Sequence, residues 1–278
     1  MPEPPVIRPS RSVALGVIGG SGMSLDAAGE PFLVPTPYGM TSSPVRFVDL
    51  DGVPAAFLAR HGDGHDLPPH AINYRANAWA MAWLGAGVVV SLGAVGGLAP
   101  GLGVGDVVVV DQFVNRTWGR KDTFFDGPVV EHVTVSEPYC APARGVVVRH
   151  ATDAGLRVRD GGTVVAIQGP RYSTRAENRD GRALGHDVIS MTQYPEVALV
   201  RELGLCFVAL CLVTDLASVA GDPSSPPASL GHAEVERQSR RHRAALSQVV
   251  TAAAADLAGC ACATLHRTSL PLPHGRRP

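Results

Sequence analysis

Apolar residues follow two different periods along the chain. Short apolar blocks at 13–18, 55–59, 88–91, 107–110 and 163–167, most of them rich in β-branched residues, have the composition of strands, and the nine-residue apolar run 205–213 suits a central one. Between them the apolar positions fall three and four apart. Ile72, Ala76, Trp79 and Trp83 share one face of a helix over 71–83, and 144–154 and 175–184 also read as helices. A last long helix is predicted over 233–257. Its inner stripe is Val235, Leu246, Val249, Val250, Ala253 and Leu257, and the arginines between Arg237 and Arg243 lie early in it. Strand–helix alternation of this kind predicts an α/β fold: a single domain with a central, mostly parallel mixed sheet flanked by helices. Ligand sites of such sheets form beyond the carboxyl ends of the strands.

The uncharged stretch 76–105 raises the question of a membrane span. Its second half is dense in glycine and contains Pro100, so it reads as helix, buried strand and loop. The N-terminal segment is proline-rich, polar and without an apolar signal core, which predicts a cytoplasmic protein with no membrane association. The expected domain spans 12–266, with flexible tails at 1–11 and 267–278; the Pro/Ser/Gly segment 221–231 is a surface loop or a mobile lid.

The chain has 278 residues, 45% hydrophobic and 18% charged, enough to bury a large core. Its formal net charge of −1 gives no electrostatic reason to expect a nucleic-acid partner. The only lysine, Lys121, sits in a polar Arg-Lys-Asp run, which disfavours P-loop and lysine-imine chemistry. Five cysteines, Cys140, Cys206, Cys211, Cys260 and Cys262, read as reduced thiols of a cytosolic protein.

Six segments carry candidate chemistry. Gly16-Val17-Ile18-Gly19-Gly20-Ser21-Gly22 is a tight turn whose amides and hydroxyl suit an anion. It departs from the dinucleotide fingerprint, because Pro31, Pro35 and Pro37 break the helix that should follow. Ala59-Arg60-His61-Gly62 offers a guanidinium fork and a second donor for phosphate oxygens. His61, His65 and His70 lack the helical spacing and acidic partner of a metal site, so no metal is expected. Gly93-Ala94-Val95-Gly96-Gly97 is a turn or a strand end against which a ligand presses. Gln168–Glu177 places Tyr172 where a ring can stack on a flat heterocycle. Ser190-Met191-Thr192 offers a soft apolar surface and a hydroxyl. Thr214-Asp215 puts a carboxyl at the end of a buried strand, a costly place for a group without a task.

Together these segments resemble the trimeric purine nucleoside phosphorylase family, and its methylthioadenosine phosphorylase branch in particular. The matching motifs are GVIGGSG, LARHG, INYRANAWA, GAVGGL with GDVVVVDQFVNRT, GPRYSTRAE, VISMTQYPEVALVRELG and LVTD, in family order. The resemblance implies phosphate binding by Ser21, Arg60, His61, Thr192 and the Ala94 amide, and nucleoside binding by Tyr172, Ser173, Met191, Thr214, Asp215 and Ala217. Asp215 and His61 are the implied catalytic residues, Asp215 as the acid at purine N7. No cofactor is implied, since phosphate is itself the co-substrate, and a homotrimer is expected.

Three departures bear on specificity. The methylthioadenosine branch reads Thr-Asp-x-Asp where this chain has Thr214-Asp215-Leu216-Ala217. The 6-oxopurine branch has Asn in place of Asp215 and Glu in place of Ser173. Gly93 replaces a Ser, Thr or Asn of the family. The expected reaction is phosphorolysis of methylthioadenosine or another 5′-deoxy-5′-substituted adenosine. The alternatives are a 6-oxopurine phosphorylase, a nucleosidase that uses water, and a weakly catalytic nucleoside-binding protein.

Overall fold

The computed structural model describes residues 12–25, 30–219, 231–260, 262 and 270. In chain order these form β1 (Leu15–Gly19), β2 (Pro31–Phe32), β3 (Val45–Leu50), β4 (Val53–Ala59), α1 (Tyr74–Trp83), β5 (Val88–Gly97), β6 (Val107–Val109), β7 (Gln112–Arg116), α2 (Ala141–Asp153), β8 (Val158–Asp160), β9 (Thr163–Ile167), α3 (Arg175–Ala183), β10 (Val188–Ser190), α4 (Gln193–Glu202), β11 (Cys206–Leu216) and α5 (His232–Ala258). The expected tails, apart from residue 270, and nearly all of the 221–231 segment lie outside the described residues.

One mixed sheet organises the molecule. Its path runs β2-β3-β4-β1-β5-β10-β9-β7 and branches at β5, which also pairs with β11, followed by β6 and β8. The central pairings β4–β1–β5–β11 are parallel. The antiparallel pairings are β2–β3, β3–β4, β10–β5 and β11–β6. The expected single α/β domain with a mostly parallel mixed sheet is what forms.

Side-chain alternation divides the core between the two sheet faces. Phe207, Ala209, Cys211 and Val213 of β11 pack with α1 and α4, whereas Cys206, Val208, Leu210 and Leu212 pack with α2 and α5. α1 is buried nearly all round and begins where the Asn73 side chain accepts from the Ala76 amide. That cap places its start at Tyr74, three residues after the sequence pattern, with a short 3₁₀ turn over Pro69–Ala71 before it. In α5 the predicted stripe is buried as expected. Among the described residues no helix is long and apolar enough to cross a membrane.

Two differences from the sequence reading matter for the site. β5 does not end at Ser91 but continues through the glycine segment to Gly97. Gly93, Gly96 and Gly97 are therefore strand, not a positive-φ turn. The small size of Gly96 and Gly97 lets β10 and β11 flank the strand closely; a Cβ on Gly97 would lie 3.0 Å from Leu216 Cδ2. β11 likewise runs past Val213 to Leu216, with a bulge that leaves Thr214 as the extra residue between the pairs Val213–Val95 and Asp215–Gly96.

Candidate active site

The carboxyl ends of β1, β4, β5, β10 and β11 open into a cleft of about 480 Å³. Every residue that the sequence nominated lines it: Ser21, Arg60, His61, Ala94, Tyr172, Ser173, Met191, Thr192, Thr214, Asp215 and Ala217. They come from six separate segments, so their convergence follows from the sheet order and not from proximity in the chain.

At one end, Arg60 is 1% exposed and bound to Glu196, itself 2% exposed, through Nε–Oε2 at 2.6 Å and Nη2–Oε1 at 2.8 Å. Nη2 also donates to Ser91 Oγ at 2.7 Å, and Nη1 donates to the Leu92 carbonyl at 3.0 Å. An Arg has five N–H groups, and these contacts occupy four, leaving one Nη1 proton for a ligand. The guanidinium is thus a rigid, charge-balanced donor, not the free fork expected from the sequence. Gly20 makes room for it: a Cβ there would come within 2.7 Å of Nη1. Glu196 was missed in the sequence reading, because α4 itself was not recognised and the pair spans the separation between β4 and α4. Thr192 precedes α4, is buried and makes no capping bond, so its hydroxyl is available to the cleft.

His61 is oriented by its own loop. Nδ1 lies 2.9 Å from the Leu67 carbonyl, and one ring face stacks on His65 with centroids 4.4 Å apart. A carbonyl only accepts, so Nδ1 carries the proton and Nε2 presents a lone pair. Burial, with Arg60, His65 and His232 nearby, pushes the imidazolium pKa down to about 3, which leaves the ring neutral. In the ligand-free protein the one N–H of the neutral ring is therefore spent on Leu67.

At the other end, the bulge in β11 turns Asp215 into the cleft. Its Oδ1 accepts from Thr214 Oγ1 at 3.1 Å, and Oδ2 lies 3.2 Å from where a Gly96 Cβ would stand. Burial raises its pKa, and the Thr214 hydrogen bond offsets this only in part. Among the described residues no ion pair holds the carboxylate, so no cation opposes the upward shift that burial causes.

Between the two ends lie Met191 and the Tyr172 segment. Tyr172 is 45% exposed, open to stack on a ligand. Ser173 Oγ donates to Asn178 Oδ1 at 2.5 Å, and Asn178 Nδ2 donates to the Ser218 carbonyl at 2.7 Å. Asn178, also missed from sequence, ties this segment to the strand that carries Asp215. Arg120 does similar work below: Nη1 donates to the Met191 and Tyr194 carbonyls and Nη2 to that of Gln168. Ala217 is buried beside the cleft and has no second carboxylate to offer, and Gly93 leaves an opening in which a Cβ would meet only Gln193 Nε2, at 3.7 Å.

Away from the cleft, Cys140, Cys206, Cys260 and Cys262 converge, with all four Sγ atoms within 4.8 Å of one another. Cysteine spacing gave no sign of this grouping.

The family model of the phosphorylase superfamily matches residues 14–255. The chain is 45% identical to S-methyl-5′-thioadenosine phosphorylase of Pyrococcus abyssi over 72% of its length and 78% of the relative. It is 48% identical to purine nucleoside phosphorylase of Streptomyces coelicolor, over 73% and 75%. Among solved structures it resembles methylthioadenosine phosphorylase from Schistosoma mansoni in complex with tubercidin, with TM-score 0.82, 31% identity, and 93% and 100% of the two chains covered. Sequence, fold and cleft agree: the chain belongs to the phosphorylase superfamily.

Proposed function

We propose that the protein is a purine nucleoside phosphorylase that cleaves methylthioadenosine, or another 5′-deoxy-5′-substituted adenosine, to free purine and a ribose-1-phosphate analogue. The observation that carries this reading is Asp215: a half-buried carboxyl with no cation partner among the described residues, its pKa raised, at one end of a cleft whose other end is lined by anion donors. Ser21, Thr192 and the remaining Nη1 proton of Arg60 hold phosphate, with the Ala94 amide beside them. Met191 lies under the ribose and Tyr172 against the base.

Cleavage builds positive charge on the sugar and negative charge on the purine. Bound phosphate stabilises the first and attacks C1′ as the C1′–N9 bond breaks. The Asp215 proton passes to purine N7, the phosphate proton is released, and Asp215 is reprotonated from solvent. Acid catalysis and preorganised hydrogen bonds of this kind each contribute about 10²–10³ in rate. The relatives support this reading, since structures similar to this chain hold methylthioadenosine and adenine.

A 6-oxopurine specificity is the second reading, favoured by Ala217 in place of a second carboxylate. Trp118 and Leu184 are exposed apolar side chains, which fits a homotrimer. Free thiols fit a cytoplasmic location. Ultraviolet-monitored cleavage of methylthioadenosine, adenosine and inosine tests the assignment. Fastest release from the 5′-deoxy substrate is expected; faster inosine cleavage would transfer the enzyme to the second reading.

A further inference from the structure

We propose that Cys140, Cys206, Cys260 and Cys262 form a structural metal site, remote from the cleft, that holds one zinc ion through four thiolates.

The four cysteines come from three places in the chain. Cys140 immediately precedes α2, and its amide donates to the Phe207 carbonyl at 2.8 Å, which sets it beside the start of β11. Cys206 opens β11, and Cys260 and Cys262 follow α5. Side-chain alternation turns Cys206 toward α2 and α5 and leaves Cys211, the fifth cysteine, on the opposite face of the sheet. Cys260 Sγ stands 3.6 Å from that of Cys140 and 3.7 Å from that of Cys206, and the four sulfurs all lie within 4.8 Å of one another. Cys260 thus has two sulfur neighbours at nearly equal distance, which is an arrangement of four corners and not of two separate pairs. A tetrahedral zinc thiolate has Zn–S bonds of about 2.3 Å, which puts its sulfurs roughly 3.8 Å apart. No separation in the cluster exceeds that edge by more than about 1 Å, a gap that small side-chain rotations close.

The surroundings suit such an ion. Cys140 and Cys206 are buried, while Cys260 and Cys262 are half-buried and leave the ion a way in. Four thiolates around a divalent ion keep a net negative charge, and Cys140 stands at the positive end of the α2 dipole. Arg201 is buried close by and donates to the Leu205 carbonyl, next to Cys206. Burial works against the charge of Arg201, and negative charge on Cys206, Cys140 and Cys262 favours it. Soft thiolate ligands in a tetrahedron select zinc over the hard cations magnesium and calcium. With every position taken by sulfur the site is closed to water and substrate, so the ion has no part in cleaving the nucleoside. Its task is mechanical. α5 starts at the cleft, where Val235 forms part of the wall, and the ion would tie the far end of that helix to α2 and β11.

Titration of the chelator-treated full-length protein with cobalt(II), under a reductant that does not bind metal, tests the site without relying on turnover. The expected result is the intense visible absorption of a tetrahedral cobalt thiolate, saturating at one ion per chain and abolished by an equivalent of zinc. Cys260→Ser/Cys262→Ser should lose this absorption, whereas Cys211→Ala should keep it. Zinc held 1,000-fold above its Kd should raise the wild-type Tm by about 8–16 °C and move that of the double variant by less than about 2 °C. Absence of thiolate absorption in the reduced wild type, a wild-type Tm that zinc does not move, or full absorption in the double variant overturns the proposal.

Discussion

Replacing Glu196 by Gln tests how the phosphate end of the cleft is built. The Arg60–Glu196 pair is 1% and 2% exposed and doubly bonded, at 2.6 and 2.8 Å. Removing one charge strands a buried guanidinium, whereas removing both leaves an apolar gap. Breaking such a pair from one side costs about 3–5 kcal/mol, while replacing both partners by apolar groups is often neutral. In a domain of this size each kcal/mol lowers Tm by about 2–4 °C, so Glu196→Gln should lower it by about 6–20 °C. The double variant Arg60→Met/Glu196→Leu should recover most of that loss. Thermal unfolding of both, with the phosphate KM of the single variant, makes the test. We expect the KM for phosphate to rise about tenfold or more as the remaining Nη1 proton loses its fixed aim. A single variant within about 3 °C of wild type, or a double variant no more stable than the single, would refute the reasoning.

Other residues give independent tests. Asp215→Asn should lower kcat/KM for 6-amino substrates by about 10²–10³, with inosine less affected, while the fold stays intact; near-normal turnover would remove Asp215 from the mechanism. The pKa of Asp215 is raised in the folded protein, so the native state holds its proton over a range where the unfolded chain has lost it. Its contribution to stability is therefore full below the unfolded pKa and lost as pH rises through the folded one. Asp215→Asn should flatten that part of the stability profile, as followed by denaturant midpoints across pH, and a profile parallel to wild type would contradict the shift. Gly169 has φ +64°, and a Cβ there would stand 2.7 Å from Met191 Sδ. Gly169→Ala should thus raise the nucleoside KM while leaving the phosphate KM nearly unchanged, and equal changes in both would place the damage elsewhere.

The sequence showed strands β1, β4, β5, β6, β9 and β11, helices α1, α2, α3 and α5 and the site segments, because burial patterns and terminal motifs are local. Its omissions are mostly long-range. α4 went unrecognised, and with it the partner that fixes Arg60. The β3–β4 hairpin turns on Asp51 and Gly52, both at positive φ, and this Asp-Gly signal was present but not used. The proton position on His61 depends on a carbonyl six residues away, which no residue pattern encodes. The glycine run at 93–97 reads in sequence as a turn or a strand end, because only the flanking strands require the small size of Gly96 and Gly97. Four cysteines met because β11, α2 and the residues after α5 come together in space.

The central claim is that phosphate, not water, takes the sugar. The most direct measurement is ³¹P NMR of methylthioadenosine incubated with the protein and inorganic phosphate, with a phosphate-free control followed by ultraviolet absorbance. The account predicts a new sugar-1-phosphate resonance that grows in step with adenine, and no adenine without phosphate. Adenine released at the same rate in both samples, with no new phosphorus signal, would contradict it.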